Sequence, residues 1–246
     1  KDLKATVAAI PLEADAYVRY GDRLYVKGTA AINGCKVNDV INYFGKNLWK
    51  PAGDISTDAE ISMSAAFDGF YDSSSGEIPD ISAHIEIPDS WIGNKKVDIR
   101  HEIALDTDIS GKSDGKLDVR LNDFHIRGKA LQIMARGSAS DLLGKDPLLD
   151  VEAGIDMSLD TLSRYLKKKS GISASGYLTA GVKGQVTLSQ LDPYQLAQAD
   201  LSGKIKTTGL NFMSEKDSLS LYADSLDVWL GAVGNTRDSS ITQGER

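Results

Sequence analysis

The sequence predicts a mainly β protein: a curved antiparallel amphipathic sheet, an open groove or "taco", built from repeats and carrying two short helices. Three observations predict it. Apolar residues recur at every second position through most of the chain, turn-forming pairs punctuate the runs, and only two segments follow a helical period. Successive side chains of a strand point to opposite faces, so each alternating run makes a strand with one apolar and one polar face. Strands covered on both faces would read as continuous apolar runs, which argues against a doubly covered parallel sheet.

In chain order, residues 1–36 read as the end of a preceding β unit, with turn signals at Gly21-Asp22 and Asn33-Gly34. Val37, Val40, Ile41, Phe44 and Leu48 then fall at helical spacing, a helix of about three turns. Ala59, Ile61, Met63, Ala65 and Phe67 form the next strand, Ile81, Ala83, Ile85 and Ile87 another, and Val97, Ile99, Ile103, Leu105 and Ile109 a third. Gly93-Asn94 and Asp114-Gly115 supply turns between runs. Leu117-Val119-Leu121, Ile133-Ala135 and Val151-Ala153-Ile155-Met157, each taken at every second residue, continue the meander. Leu159, Leu162, Tyr165 and Leu166 give a second helix, with Ser158 as N-cap and Lys167, Lys168 and Lys169 suited to its C-terminal dipole. The remaining strands are Leu178-Ala180-Val182-Val186, Leu201-Ile205, Leu219-Leu221-Ala223 and Leu226-Val228-Leu230.

The helices expose an internal repeat. Val37, Val40, Tyr43 and Phe44 superpose on Leu159, Leu162, Tyr165 and Leu166 at an offset of 122, and Ile81–Ile85 superposes on Leu201–Ile205 at 120. Residues 37–157 thus read as one β-repeat unit with its leading helix, and 158–246 as a partial second unit ending in a polar tail. Such units stack, each continuing its neighbour's apolar surface.

Composition sets the outer bounds. The 246 residues are 41% apolar, 26% charged and 7% aromatic, which is ordinary for a globular chain and excludes global disorder. A net charge of −7 with scattered Lys and Arg argues against nucleic acid, which calls for a basic stripe. The one cysteine, Cys35, excludes an internal disulfide and a multi-cysteine zinc site, and reads as a small hydrophobe. No run approaches the roughly 18 apolar residues of a membrane span. The chain begins Lys-Asp-Leu without a methionine, so it reads as an excised piece.

About ten one-sided strands leave an apolar area that two short helices cannot cover. Two resolutions stand at this stage: a closed sandwich with a dry core, or a trough whose apolar interior stays open. Small inward residues such as Ala59, Ala65, Ala83, Ala135, Ala153 and Ala180 suit a shallow channel better than a core filled to native density.

The order Leu159-Asp160-Thr161-Leu162-Ser163-Arg164-Tyr165-Leu166, then Gly176 to Val186, then Ala199 to Phe212 with its Leu201-Ser202-Gly203-Lys204-Ile205 strand and Gly209-Leu210-Asn211-Phe212 turn, resembles the AsmA-like family of bacterial cell-envelope proteins. Ile81 to Ile92 resembles the same unit more loosely, with Ala83 where Gly203 stands. The resemblance covers residues 37 to 230. It implies a periplasmic protein, held to the inner membrane by an anchor absent from this fragment, that supports outer-membrane assembly through an elongated apolar groove for lipids. It also implies envelope protein partners, and it carries over no catalytic residue.

Other motifs are weaker. Asp106-Thr107-Asp108-Ile109-Ser110-Gly111 imitates a calcium loop, but the twelfth position is Leu117 where a Glu is needed. Ser113-Asp114-Gly115-Lys116 has the Ser-x-x-Lys spacing of serine acyl-enzymes, but sits in a hairpin turn. His84, His101 and His125 are too dispersed to specify a metal site; His84 and His125 fall on the polar phase and His101 on the apolar phase. Trp49, Trp91 and Trp229 read as packing at strand ends. The expectation is therefore a non-enzymatic, cofactor-free and metal-free protein whose partners are lipid acyl chains and not nucleic acid. The lining positions nominated are Ile61, Met63, Ile85, Ile103, Val119, Leu121, Ile133, Val182 and Ile205. A closed β-sandwich adhesion or scaffold module is the alternative.

Overall fold

The computed structural model describes residues 2–7, 10–40, 55–94, 99–160, 163, 172–192, 195, 199–214 and 218–231. Thirteen strands form one sheet: β1 (Asp2–Val7), β2 (Ile10–Arg19), β3 (Leu24–Lys36), β4 (Ile55–Thr57), β5 (Glu60–Tyr71), β6 (Asp80–Asn94), β7 (Ile99–Gly111), β8 (Leu117–Arg127), β9 (Leu131–Ser140), β10 (Leu148–Ser158), β11 (Ile172–Thr187), β12 (Asp200–Ser214) and β13 (Leu219–Leu230). Every pairing is antiparallel, and twelve strands lie in chain order, with β4 attached to the free upper part of β6 above β5. The sheet is open and does not close into a barrel. Nor is it a filled sandwich: among the described residues no large side chain is fully buried. The trough is thus the resolution that the chain adopts.

A short helix, α1 (Val37–Val40), follows β3, and helix begins again at Leu159 and Asp160 after β10. Because neighbours are antiparallel, both helices leave the same end of the sheet. The other residues that set the two expected helices (Ile41, Phe44 and Leu48; Leu162, Tyr165 and Leu166), the Lys167–Lys169 run, Trp49 and Val97 lie outside the described residues. The start of α1 is pinned by Val37 N–H donating to the Ala59 carbonyl at 2.9 Å. Thr57 Oγ1 accepts from Ala59 N–H at 3.0 Å and donates to the Trp91 carbonyl, tying β4 to β6. Cys35, Thr57 and Ala59 are buried around this junction, as the small-hydrophobe reading of Cys35 expects.

The hydrogen-bond register carries the repeat. Ile55 pairs with Asn94 as Ile172 pairs with Ser214; Ser62 pairs with Glu86 as Thr179 pairs with Lys206; Asp68 pairs with Asp80 as Gln185 pairs with Asp200. The shift is 117 for the first member of each pair and 120 for the second throughout (172 less 55, 214 less 94). So β4 and β5 together correspond to β11, and β6 to β12.

Four β-bulges interrupt the ladder, in β3 after Ile32, β6 after Ile87, β8 after Leu121 and β12 after Thr208. All four bulged strands run in the same direction, and those of β6 and β12 fall at equivalent repeat positions. A bulge adds one residue and increases the local right-handed twist, so four on parallel-running strands coil the sheet in one sense. Asn33-Gly34, expected as a hairpin turn, is one of them: Gly34 sits at φ 65 inside β3. The Asn-Gly pair satisfies a positive-φ bulge as readily as a turn, and β3 runs on to Lys36.

Glycine permits the tightest approaches. At Gly184 a Cβ would collide with the Asp200 carbonyl oxygen of β12, and φ is 141. Gly184→Ala is expected to cost on the order of 2 kcal/mol in urea denaturation. Gly181→Ala, where the nearest atom is 3.8 Å away, should move stability by no more than about 0.5 kcal/mol.

Candidate functional site

Residues paired across a ladder share a face, so register decides what the apolar side looks like. One row joins Ile103, Ile126, Ile133, Ile155, Ala180, Ile205 and Val228 across β7 to β13. A second joins Ile32, Met63, Ile85, Thr107, Leu121, Gly137, Val151, Gly184 and Leu201 from β3 to β12. A third runs Leu105, Phe124, Ala135, Ala153 and Val182, and a fourth Ala83, Ile109, Val119, Ala139 and Leu149. Strand β7, unbulged, contributes Ile103, Leu105, Thr107 and Ile109, one to each row, so all four rows lie on one face.

All nine nominated lining residues fall on this face: Ile103, Ile133 and Ile205 in the first row, Met63, Ile85 and Leu121 in the second, Val182 in the third and Val119 in the fourth. Ile61 pairs with Cys35 one step along β5 from Met63. Each of the nine is half-buried, which is the exposure of a side chain covered by its neighbours but not by a second layer. The sequence reading passed over Phe124 and Ile126. Their phase slips by one residue after Leu121 because Asn122 is the extra residue of the β8 bulge. The slip itself was the available signal.

The opposite face is a charged ladder. Arg136 reaches Glu152 at 2.8 Å and Lys183 approaches the same carboxylate at 3.4 Å. Lys27 meets Asp68 at 2.6 Å. Hydrogen bonds from Arg136 hold the Glu152 carboxyl below its usual range, and those from Lys27 and Tyr25 do the same for Asp68. Exposed pairs of this kind contribute little stability; as cross-strand pairs they fix register. Trp229 also stands here, 68% exposed, with the Lys204 ammonium 4.4 Å from its ring centroid. That corrects its expected role in buried packing: it lies on the polar phase of the last strand. Trp91 is half-buried beneath Arg100 at 4.4 Å.

The calcium-loop imitation Asp106 to Gly111 is the interior strand β7, with Asp106 and Asp108 held by Asn122 Nδ2 at 2.9 and 2.6 Å. Ser113 to Lys116 is the β7–β8 turn, with Gly115 at φ 82. His84 and His125 lie on the polar face and His101 on the apolar face, over Gly128, where a Cβ would strike its ring. The hydrogen bond to Asp108, 2.9 Å long, raises the His84 pKa, whereas burial lowers that of His101. An NMR titration is therefore expected to place the His84 midpoint above 6.5 and that of His101 below it. His101 favours the fold when neutral, so its contribution is present above 6.5, the ordinary value, and is lost as pH falls below it through the lowered folded value. The His84 contribution has the opposite sign: it is present at low pH and fades as pH rises through the raised folded value.

No protein-family model, curated protein or solved structure matches this chain.

Proposed function

We infer that this protein binds lipid acyl chains along its apolar face and conducts them without catalysing a reaction. The observation that carries the reading is the row from Ile103 to Val228: seven adjacent strands present an apolar side chain in register. Among the described residues the close backbone neighbours of these strands are chiefly their partners in the sheet.

Such a surface suits a chain and not a rigid, polar ligand. Apolar burial is non-directional and stabilises by roughly 0.8 kcal/mol per methylene, so a dozen methylenes supply about 10 kcal/mol before ordering costs are subtracted. No single residue dominates. An aliphatic chain can shift along the rows at little cost because each row repeats the same chemistry every strand, about 4.8 Å on. That is the physical requirement for conduction. The resemblance of the Leu159–Phe212 segment to the AsmA-like family supports the setting: the bacterial periplasm, tethered to the inner membrane, serving outer-membrane assembly alongside envelope protein partners.

Titration of a fluorescent fatty acid or phospholipid tests the reading. Uptake is expected in the wild type, to be little changed by raising the salt, and to fall at least fivefold in Ile133→Asp and Ile205→Asp. Both variants should stay folded by circular dichroism, because a partly exposed site lets water reach the new carboxylate. No uptake by the wild type, or undiminished uptake by both folded variants, contradicts it.

A further inference from the structure

We propose that Asp89, Glu102 and His125 form a binding site for a divalent first-row transition-metal ion, of which zinc is the best geometric fit. The site lies on the polar face and is independent of the lipid reading. Two bulges build it. Asp89 is displaced from the regular ladder by the β6 bulge, and the β8 bulge sets Asp123 and His125 on the same side as Glu102 of β7.

His125 is 4% exposed, although its strand phase points it at solvent. Its Nδ1–H donates to Asp123 Oδ2 at 2.7 Å. That bond fixes the tautomer and leaves the Nε2 lone pair directed away, as carboxylate–histidine pairs do behind metal ions. Nε2 lies 3.3 Å from both Asp89 Oδ1 and Glu102 Oε1, yet it is buried with no hydrogen-bond partner. The nitrogen stands equidistant from two carboxylate oxygens.

The two nitrogen–oxygen spacings match those between ligands of one ion. Ligands about 2.0–2.1 Å from a tetrahedral ion are separated by about 3.3 Å. One imidazole nitrogen and two carboxylate oxygens, of which Glu102 Oε1 also accepts from Arg127 Nη1 at 2.9 Å, form a donor set for zinc or a neighbouring divalent metal, and are too few and too nitrogenous for calcium. Asp89 and Glu102 also border a depression of about 370 Å³ shared with Ser90, Trp91 and Arg100, from which water or an anion could complete the shell. The repeat provides a contrast: Gly209 stands in the β12 bulge where Asp89 stands in β6, so the fold does not need the carboxylate. The other histidine cluster, His84 with Asp106 and Asp108, is 42% exposed at the histidine, which is already hydrogen-bonded to Asp108.

Calorimetric titration of the chelator-stripped chain with Zn²⁺ tests this. One ion per chain should bind, with no heat from Ca²⁺. His125→Gln should abolish binding, and His84→Gln should leave it unchanged. Asp89→Asn, at a carboxylate 72% exposed and so harmless to folding, should weaken it at least tenfold and keeps the test decisive if His125→Gln unfolds. Absence of Zn²⁺ binding, or binding indifferent to Asp89→Asn, overturns the site.

Discussion

Cross-strand register is the constraint on which everything else in this molecule depends. Side chains alternate with a period of two, so a slip of one residue between neighbours would carry a strand's whole apolar set to the polar face. Among the described residues the sheet has no second layer to enforce the choice, and the register is fixed within the ladder. The charged cross-strand pairs on one face and the apolar rows on the other do this together, each weak alone. Arg136, Glu152 and Lys183 agree with Gly137, Val151 and Gly184 about the alignment of β9, β10 and β11.

The bulges show how strict this is. Each inserts a residue that would invert the faces beyond it, and in each case the sequence slips its own phase by one to compensate. Leu121 is followed on the apolar face by Phe124 and Ile126, and Thr207 by Leu210 and Phe212. The last strand slips with its neighbour, from Ala223 to Leu226. The bulges thereby twist the sheet without breaking its apolar face, and at β6 and β8 they also gather side chains on the polar side that a regular ladder would hold apart.

Much of this was legible in the sequence, for a physical reason: an open one-sided sheet writes its two faces directly into the alternation. The strands, their order and the common face of Ile61, Met63, Ile85, Ile103, Val119, Leu121, Ile133, Val182 and Ile205 follow from period two and short turns. The repeat offset of 120 reappears as hydrogen-bond register between β6 and β12. What stayed hidden depended on counting across strands. Asn33-Gly34 has the chemistry of a turn and of a bulge alike, and only the continuation of β3 distinguishes them. Asp89, Glu102 and His125 have no motif spacing; they meet because two bulges and two ladder pairings coincide. Trp229 belongs to the polar phase of its strand, but a large aromatic at a strand end looks the same in sequence whether it is covered or bare.

If the open apolar face receives acyl chains, as proposed, the two-residue period is the signature that binding must show. A photo-crosslinking residue placed in turn at each position from Ile81 to Ile87 on β6, with a radiolabelled phospholipid, tests it most directly. The account predicts lipid adducts at 81, 83, 85 and 87 and none above background at 82, 84 and 86. Adducts spread evenly over both phases, or confined to the polar phase, would contradict it.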